Sequence, residues 1–366
     1  MKKAVNNILI ALVFSMTSFA TLANEHGKES HDEKEFDVSE MIMHHVKDAH
    51  EWHLWGPEHG GTAIYLPVIL KTDEGIKTFS SSHLYHGEFV HEGENHYYKG
   101  VGPAEGFGMF HEKIYALDEH GALHFEDGHV HGNVKPMDFS ITKNVTSLFI
   151  GSFLVFIIMF SCARFYKTNG AVAPKGIAKF MEPIILFVQD DIAKANINEK
   201  KYKKFVPFLL TIFFFIWINN LLGMIPIFPG SANLTGNISV TFFLAALTLV
   251  IILVNGNKNY WGHIFAPPGV PKLLLPIMIP IEIVGIFTKP FALMIRLFAN
   301  ITAGHIIILA LISIIFINKS VAWGALSVPM ALFISILELL VAALQAYLFA
   351  MLSALFIGAA VEEAHH

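Results

Sequence analysis

Six polar side chains stand inside two long apolar stretches near the C-terminal end of the sequence: Glu282, Arg296, Asn300 and His305 in the first, Glu338 and Gln345 in the second. Placing a charge at mid-membrane depth costs about 2.5–3.5 kcal/mol on insertion scales, so such residues face a cavity or a partner and mark paths for ions. Glu282, Lys289 and Arg296 recur every seven residues, which at about 100° per residue keeps them within about 40° on one helical face. Asn300 is one turn beyond Arg296 on that face. His305 follows nine residues after Arg296, on about the opposite side and about 13.5 Å further along. Glu338 and Gln345 are again seven apart. Pro290, next to Lys289, makes the alignment across that point approximate. The pattern indicates polar access at two places with a permanent cation between them, because a guanidinium does not deprotonate in proteins whereas a buried lysine can. Against this stand structural roles: snorkelling or pairing for a lone Arg or His, and interfacial positions for Glu282 and Lys289.

These residues need helices in a bilayer, and the chain supplies them. Its 366 residues are 54% hydrophobic and 15% charged, with a mean hydropathy of +0.52. That composition excludes an ordinary soluble protein and points to a polytopic membrane protein. Apolar runs at 147–163, 205–228 and 239–254 read as transmembrane helices. Two longer stretches follow, about 272–317 and 323–360. At 1.5 Å per residue each exceeds 50 Å if continuous, against a hydrocarbon core of ~30 Å, so they must break, tilt or lie partly in the membrane plane. The loop after the first span carries Arg164, Lys167, Lys175, Lys179, Lys194, Lys200, Lys201, Lys203 and Lys204, which marks it as cytoplasmic. Within it, 176–197 is amphipathic enough to lie along the membrane surface, or is a plain connecting helix. Five embedded segments then put the N-terminus outside and the C-terminus in the cytoplasm.

Residues 1–23 have the form of a signal peptide, with Lys2 and Lys3 before a short apolar core and small residues ending at Ala23. A retained membrane anchor is the alternative. Residues 24–140 form an acidic, His-rich extracytoplasmic region with 22 acidic and 8 basic side chains and 16 of the 20 histidines. The region lacks an 18-residue apolar run and is expected to be a small soluble α+β or mainly β unit. Ile42, Val46 and Ala49 are near helical spacing, "TAIYLPVIL" looks like a strand, and "KIYALDEHGALHF" looks like a hairpin turning at Glu119, His120 and Gly121. The histidine clusters include possible metal ligands, but no spacing closes a site, so solvated surface histidines are the simpler reading. The single cysteine, Cys162, lies in a span and allows no intrachain disulfide.

From about residue 140 to 366 the sequence resembles subunit a of the F-type ATP synthase. The resemblance is carried by "IEIVGIFTKPFALMIRLFANITAGH" followed by "ILELLVAALQAYLFAMLSALFIGAAVEEAHH", with "NNLLGMIP" and "GNISVT" upstream. It implies that Arg296 is the arginine facing the carboxylates of a rotating c-subunit ring. Asn300 and Gln345 would be its polar neighbours, and Glu282, His305 and Glu338 positions of two aqueous half-channels. His305 and Glu338 would relay protons, although many bacterial members carry a carboxylate and a histidine there in the reverse order; Ala299 replaces a frequent glycine. The resemblance further implies a strongly tilted final hairpin, a bacterial inner-membrane location, and partners in the c ring, the b subunits of the peripheral stalk and the rest of the complex. It implies no cofactor, no metal, no nucleic acid and no catalysis by this chain alone, and the His305 and Glu338 pair leans towards H⁺ over Na⁺. The N-terminal region is an addition to the family's core. The competing readings are a stand-alone transporter or channel, in which Arg296 would bind an anionic substrate, and a membrane-anchored periplasmic metal-binding protein.

Overall fold

The computed structural model describes residues 38, 42, 46–55, 61–92, 95–126, 128–170, 172–225, 228–266 and 271–362. The expected signal segment and most of the expected helix around Ile42 lie outside them.

The described N-terminal part is built from short antiparallel strands. A hairpin pairs β1 (Glu51–Trp55) with β2 (Thr62–Tyr65). A three-stranded sheet has the order β11 (Met137–Asp138), β3 (Pro67–Thr72), β4 (Gly75–Ser80). A four-stranded meander runs β5 (Glu88–Glu92), β6 (Asn95–Lys99), β7 (Phe107–Phe110), β8 (Lys113–Ala116). Alternation buries Val68 and Leu70 of β3, which meet Phe79, Phe107, Met109 and Ile114 in one core. The rings of Phe79 and Phe107 stack across it, centroids 6.0 Å apart.

Three sequence expectations change here. "TAIYLPVIL" is two strands, because Leu66 turns its amide to the His50 carbonyl and separates β2 from β3. Ala49, expected on the helix of Ile42 and Val46, is not helical: residues 47–50 are irregular and 51–55 form β1. The turn at 118–121 exists, but no hairpin forms across it. Asp118 Oδ1 accepts the amides of His120 and Ala122, and the chain beyond pairs β9 (Phe125–Glu126) with β10 (His129–Val130). The Ala116 amide goes instead to the Val134 carbonyl.

β11 leads almost directly into the first membrane helix, α1 (Lys143–Asn169), with Thr142 as its N-cap. Then come α2 (Ile177–Phe187), continued by a π-helical segment (Val188–Lys194), α3 (Tyr202–Met224), α4 (Ile238–Asn255), the short α5 (Lys258–Phe265), α6 (Leu275–Ile317) and α7 (Gly324–Val361). Among the described residues five helices are long and apolar enough to cross a membrane. The segment 176–197 is more than a surface connector, because Val188, Ile192 and Ala193 are fully buried in the bundle core with α3 and α7.

α6 runs 43 residues without interruption through Pro280 and Pro290. At 1.5 Å per residue it is about 64 Å long, and keeping that length within a ~30 Å apolar layer requires an inclination of roughly 60°. α7, 38 residues long, packs along both α6 and α3. Small residues at every fourth position, Ala342, Ala346, Ala350, Ala354 and Gly358, are buried on one α7 face and allow this close approach. At Gly358 an added Cβ would collide with the backbone carbonyl of Asn196.

Candidate functional site

The polar residues of α6 divide between two faces. Lys289, Arg296 and Asn300 are exposed on the outer face, and Lys289 Nζ lies 5.6 Å from the Phe356 ring centroid of α7. Among the described residues no hydrogen bond or ion pair reaches the Arg296 guanidinium. Ala292, Ala299 and Ala303 are exposed beside it, so the surface around this cation is low and another helix could approach closely. Ile277, Ile281, Val284, Phe287, Phe291 and Ile295 are also exposed, so much of the remaining α6 surface is apolar.

His305 turns towards α7 instead. Its Nε2 lies 3.7 Å from Glu338 Oε1, and the Glu338 side chain is 4% exposed. Gly304 makes this possible, since a Cβ there would stand 2.7 Å from Glu338 Oε1. Glu338 Oε1 and the neighbouring Thr302 Oγ1 are buried without a hydrogen-bond partner among the described residues. Gln345, 3% exposed, lies two turns further along α7. The structure thus brings His305 and Glu338 together, whereas Arg296, Asn300 and Gln345 form no hydrogen bonds with one another.

The two ends of α6 meet different surroundings. Glu282 is fourteen residues before Arg296, about 21 Å along the axis, and its charge acts on Tyr260 of α5. α5 begins beside the end of α7, where the Asn257 amide donates to the Ala360 carbonyl. His305 lies towards the β-rich part, and the charge of Lys143, the first residue of α1, acts on it.

Sequence reasoning missed Lys143, Thr302, Gly304, Asn220 and Thr235. Asn220 is buried in α3; its Oδ1 accepts a 2.6 Å bond from the Thr235 hydroxyl and its Nδ2 donates to the Ala342 carbonyl of α7 at 3.4 Å. The adjacent asparagines in "NNLLGMIP" were the available signal, because an amide inside an apolar helix needs a partner. Among the described residues no three His, Cys, Asp or Glu side chains gather as a metal site.

The family described as ATP synthase A chain matches residues 145–358. A second family, a domain of unknown function (DUF8433), matches residues 41–139. ATP synthase subunit a of Chloroherpeton thalassium is 46% identical over 235 residues, 63% of this chain and 69% of the relative. ATP synthase subunit a 2 of Chlorobaculum tepidum is 47% identical over 253 residues, 67% and 69% of the two chains. ATP synthase subunit a of Myxococcus xanthus is 45% identical over 236 residues, 63% and 76%. With its five membrane helices, the chain belongs to the ATP synthase A chain family, the proton-translocating stator subunit of Fo, which conducts ions and is not catalytic by itself.

Proposed function

We propose that Arg296 is the fixed cation between two half-channels, an inlet ending at His305 and Glu338 and an outlet passing Glu282, and that it faces the carboxylates of a rotating c ring. The observation that carries this reading is the unpartnered Arg296 guanidinium on an exposed face flanked by alanines, with titratable groups at either side along one unbroken helix. A proton from the extracytoplasmic side passes His305 and Glu338 to a ring carboxylate. Neutralised, that site can turn through lipid, where an ionised carboxylate would meet a severe desolvation barrier. When it returns to Arg296, the guanidinium favours the ionised carboxylate, and the proton leaves by the outlet. The permanent charge also blocks direct leakage between the half-channels. Asn300 and Gln345 offer polar contacts beside the arginine. Each charge crossing 100 mV yields about 2.3 kcal/mol, so several must combine for one ATP.

In this reading the partners are the c ring and the b subunits of the peripheral stalk. The N-terminal part is extracytoplasmic, the C-terminus cytoplasmic, and the membrane is a bacterial inner membrane. Arg296→Ala is expected to abolish ATP-driven proton pumping in vesicles although the complex still copurifies with an oligomeric c ring. Normal coupled pumping by that variant would sink the assignment.

A further inference from the structure

We propose that the buried cluster of His50, Glu112 and Asp138 at the foot of the β-rich part, with Lys143 beneath it, is the outer port through which protons reach His305 and Glu338. This rests on the inlet assignment made above.

The cluster sits where the β-rich part is fastened to the membrane helices. Asp48 accepts the Thr142 hydroxyl at 2.8 Å and the Asn144 amide at 3.0 Å, capping α1, and the Lys143 amide donates to the Ala49 carbonyl at 2.9 Å. Trp52, two residues beyond His50, packs edge-on against Phe228 in the loop after α3. Only four residues separate β11 from α1.

Its geometry steps inward from water. The Asp138 side chain is 27% exposed, and its Oδ2 lies 3.2 Å from His50 Nε2. His50, 4% exposed at its side chain, faces Glu112 with its other nitrogen, Nδ1 to Oε2 being 3.9 Å. Glu112 also accepts the His50 amide at 3.3 Å and the Tyr85 hydroxyl at 2.7 Å. The charge of Lys143 acts on Asp48 and Glu112 on one side and on His305 on the other. His50 Nδ1 is buried without a hydrogen-bond partner, which in a polar setting marks a place where water or a passing proton is held.

A backbone observation points the same way. The tight turn joining β7 and β8 consists of His111 and Glu112, with φ of 48° and 62°. Such a turn favours Asn-Gly, and two residues with a Cβ there are strained. Strain kept at a side chain that reaches into a charged cluster is the pattern of a functional position.

The groups facing the imidazole are Asp48, Glu112, Asp138 and Tyr85, with Lys143 and Glu51 around them. Burial opposes charge on His50, but the ring hydrogen bond to Asp138 and the negative charges of Asp138 and Glu112 outweigh it and push its pKa up to about 9. Near neutral pH it is an imidazolium. The imidazolium gives its Nδ1 proton to the Glu112 carboxylate and becomes neutral; Glu112 releases that proton inward, and once the ring has turned over its bare nitrogen takes a proton arriving past Asp138. The ring is charged before and after, so one proton has moved inward. Above about pH 9 the ring no longer reloads.

The test is potential-driven proton flux through the reconstituted complex at external pH 6 to 10. Wild type is expected to lose flux as external pH rises through about 9. His50→Gln and Glu112→Gln are each expected to lower flux at pH 7 by about tenfold, the low end of a lost acid–base group, and His50→Gln to remove the alkaline fall. If His50→Gln does not assemble, Tyr85→Phe, which removes one hydroxyl from Glu112, is expected to lower flux a few-fold. Unchanged flux and an unchanged pH profile in assembled variants would overturn the port. If His305→Ala with Glu338→Ala still blocks flux in that case, the inlet assignment survives; if that pair also conducts normally, the inlet assignment has failed with it.

Discussion

Gly304→Ala separates the stability of the chain from its transport. The new Cβ would stand 2.7 Å from Glu338 Oε1, 3.0 Å from its Cδ and 3.3 Å from its Cγ. Ordinary contact begins near 3.4 Å, so the carboxylate must retreat by about 0.7 Å, the difference between 3.4 and 2.7. The obstructing atoms are the end of a flexible side chain, and the adjustment costs about 0.5–1.5 kcal/mol as an off-rotamer torsion. Replacing a helical glycine by alanine returns about 1 kcal/mol. The net stability change is therefore near zero. The effect on the proposed relay is not, because a retreat from the α6 surface takes the carboxylate away from His305, which is already 3.7 Å distant. A displacement approaching 1 Å between reacting groups costs on the order of 100-fold, so a 10- to 100-fold fall in potential-driven proton conductance is expected. The assay is dye-monitored proton flux through reconstituted complex, with subunit content and thermal stability measured alongside. Full conductance by the Gly304→Ala variant at normal assembly would refute the reasoning.

The remaining predictions concern stability. Gly358→Ala has no such escape, because its Cβ meets the Asn196 backbone and the Ile197 Cα, and a loss of about 3 kcal/mol or more is expected as a lower melting temperature in detergent. Asn220→Ala leaves the buried Thr235 hydroxyl without its acceptor and should cost about 1–3 kcal/mol, with Thr235→Val adding little further in the double variant. His50 binds its proton more tightly in the folded state, its pKa rising from 6.5 to about 9. Its contribution of about 3 kcal/mol is fully present below pH 6.5 and is lost as pH rises through about 9. Thermal unfolding of the purified chain should show that loss, and His50→Gln should flatten it.

The membrane half was largely legible in the sequence because its signals are local and large. Hydropathy alone places five spans, and an uncompensated arginine in an apolar helix advertises itself. The length of the last two helices is also a sequence property, whereas their continuity through Pro280 and Pro290 is not, since neighbouring contacts decide whether a proline ends a helix. The β-rich part was less legible because its strands are short and their partners distant. β11 returns from residue 137 to pair with β3, and the Asp118 turn sends the following chain to β9 and β10. The partners that complete that choice, Val134 and β10, lie outside residues 113–125. Within the site, Lys143 and Gly304 were invisible for the same reason: a lysine at a helix start and a glycine in an apolar helix gain meaning only from what lies beside them.

The unbroken α6 also works as an angular ruler. Between Arg296 and His305 lie two and a half turns without a loop, and each residue sets the next by about 100° and 1.5 Å. Substitutions there alter side chains but leave the phase intact. Deleting a single residue between 297 and 303 would swing His305 by about 100° away from Glu338, with no irregular segment to absorb the error, whereas the non-helical stretch at 318–320 could take up an insertion. The distance and angle between the Arg296 guanidinium and the His305 imidazole are thus set by residue count.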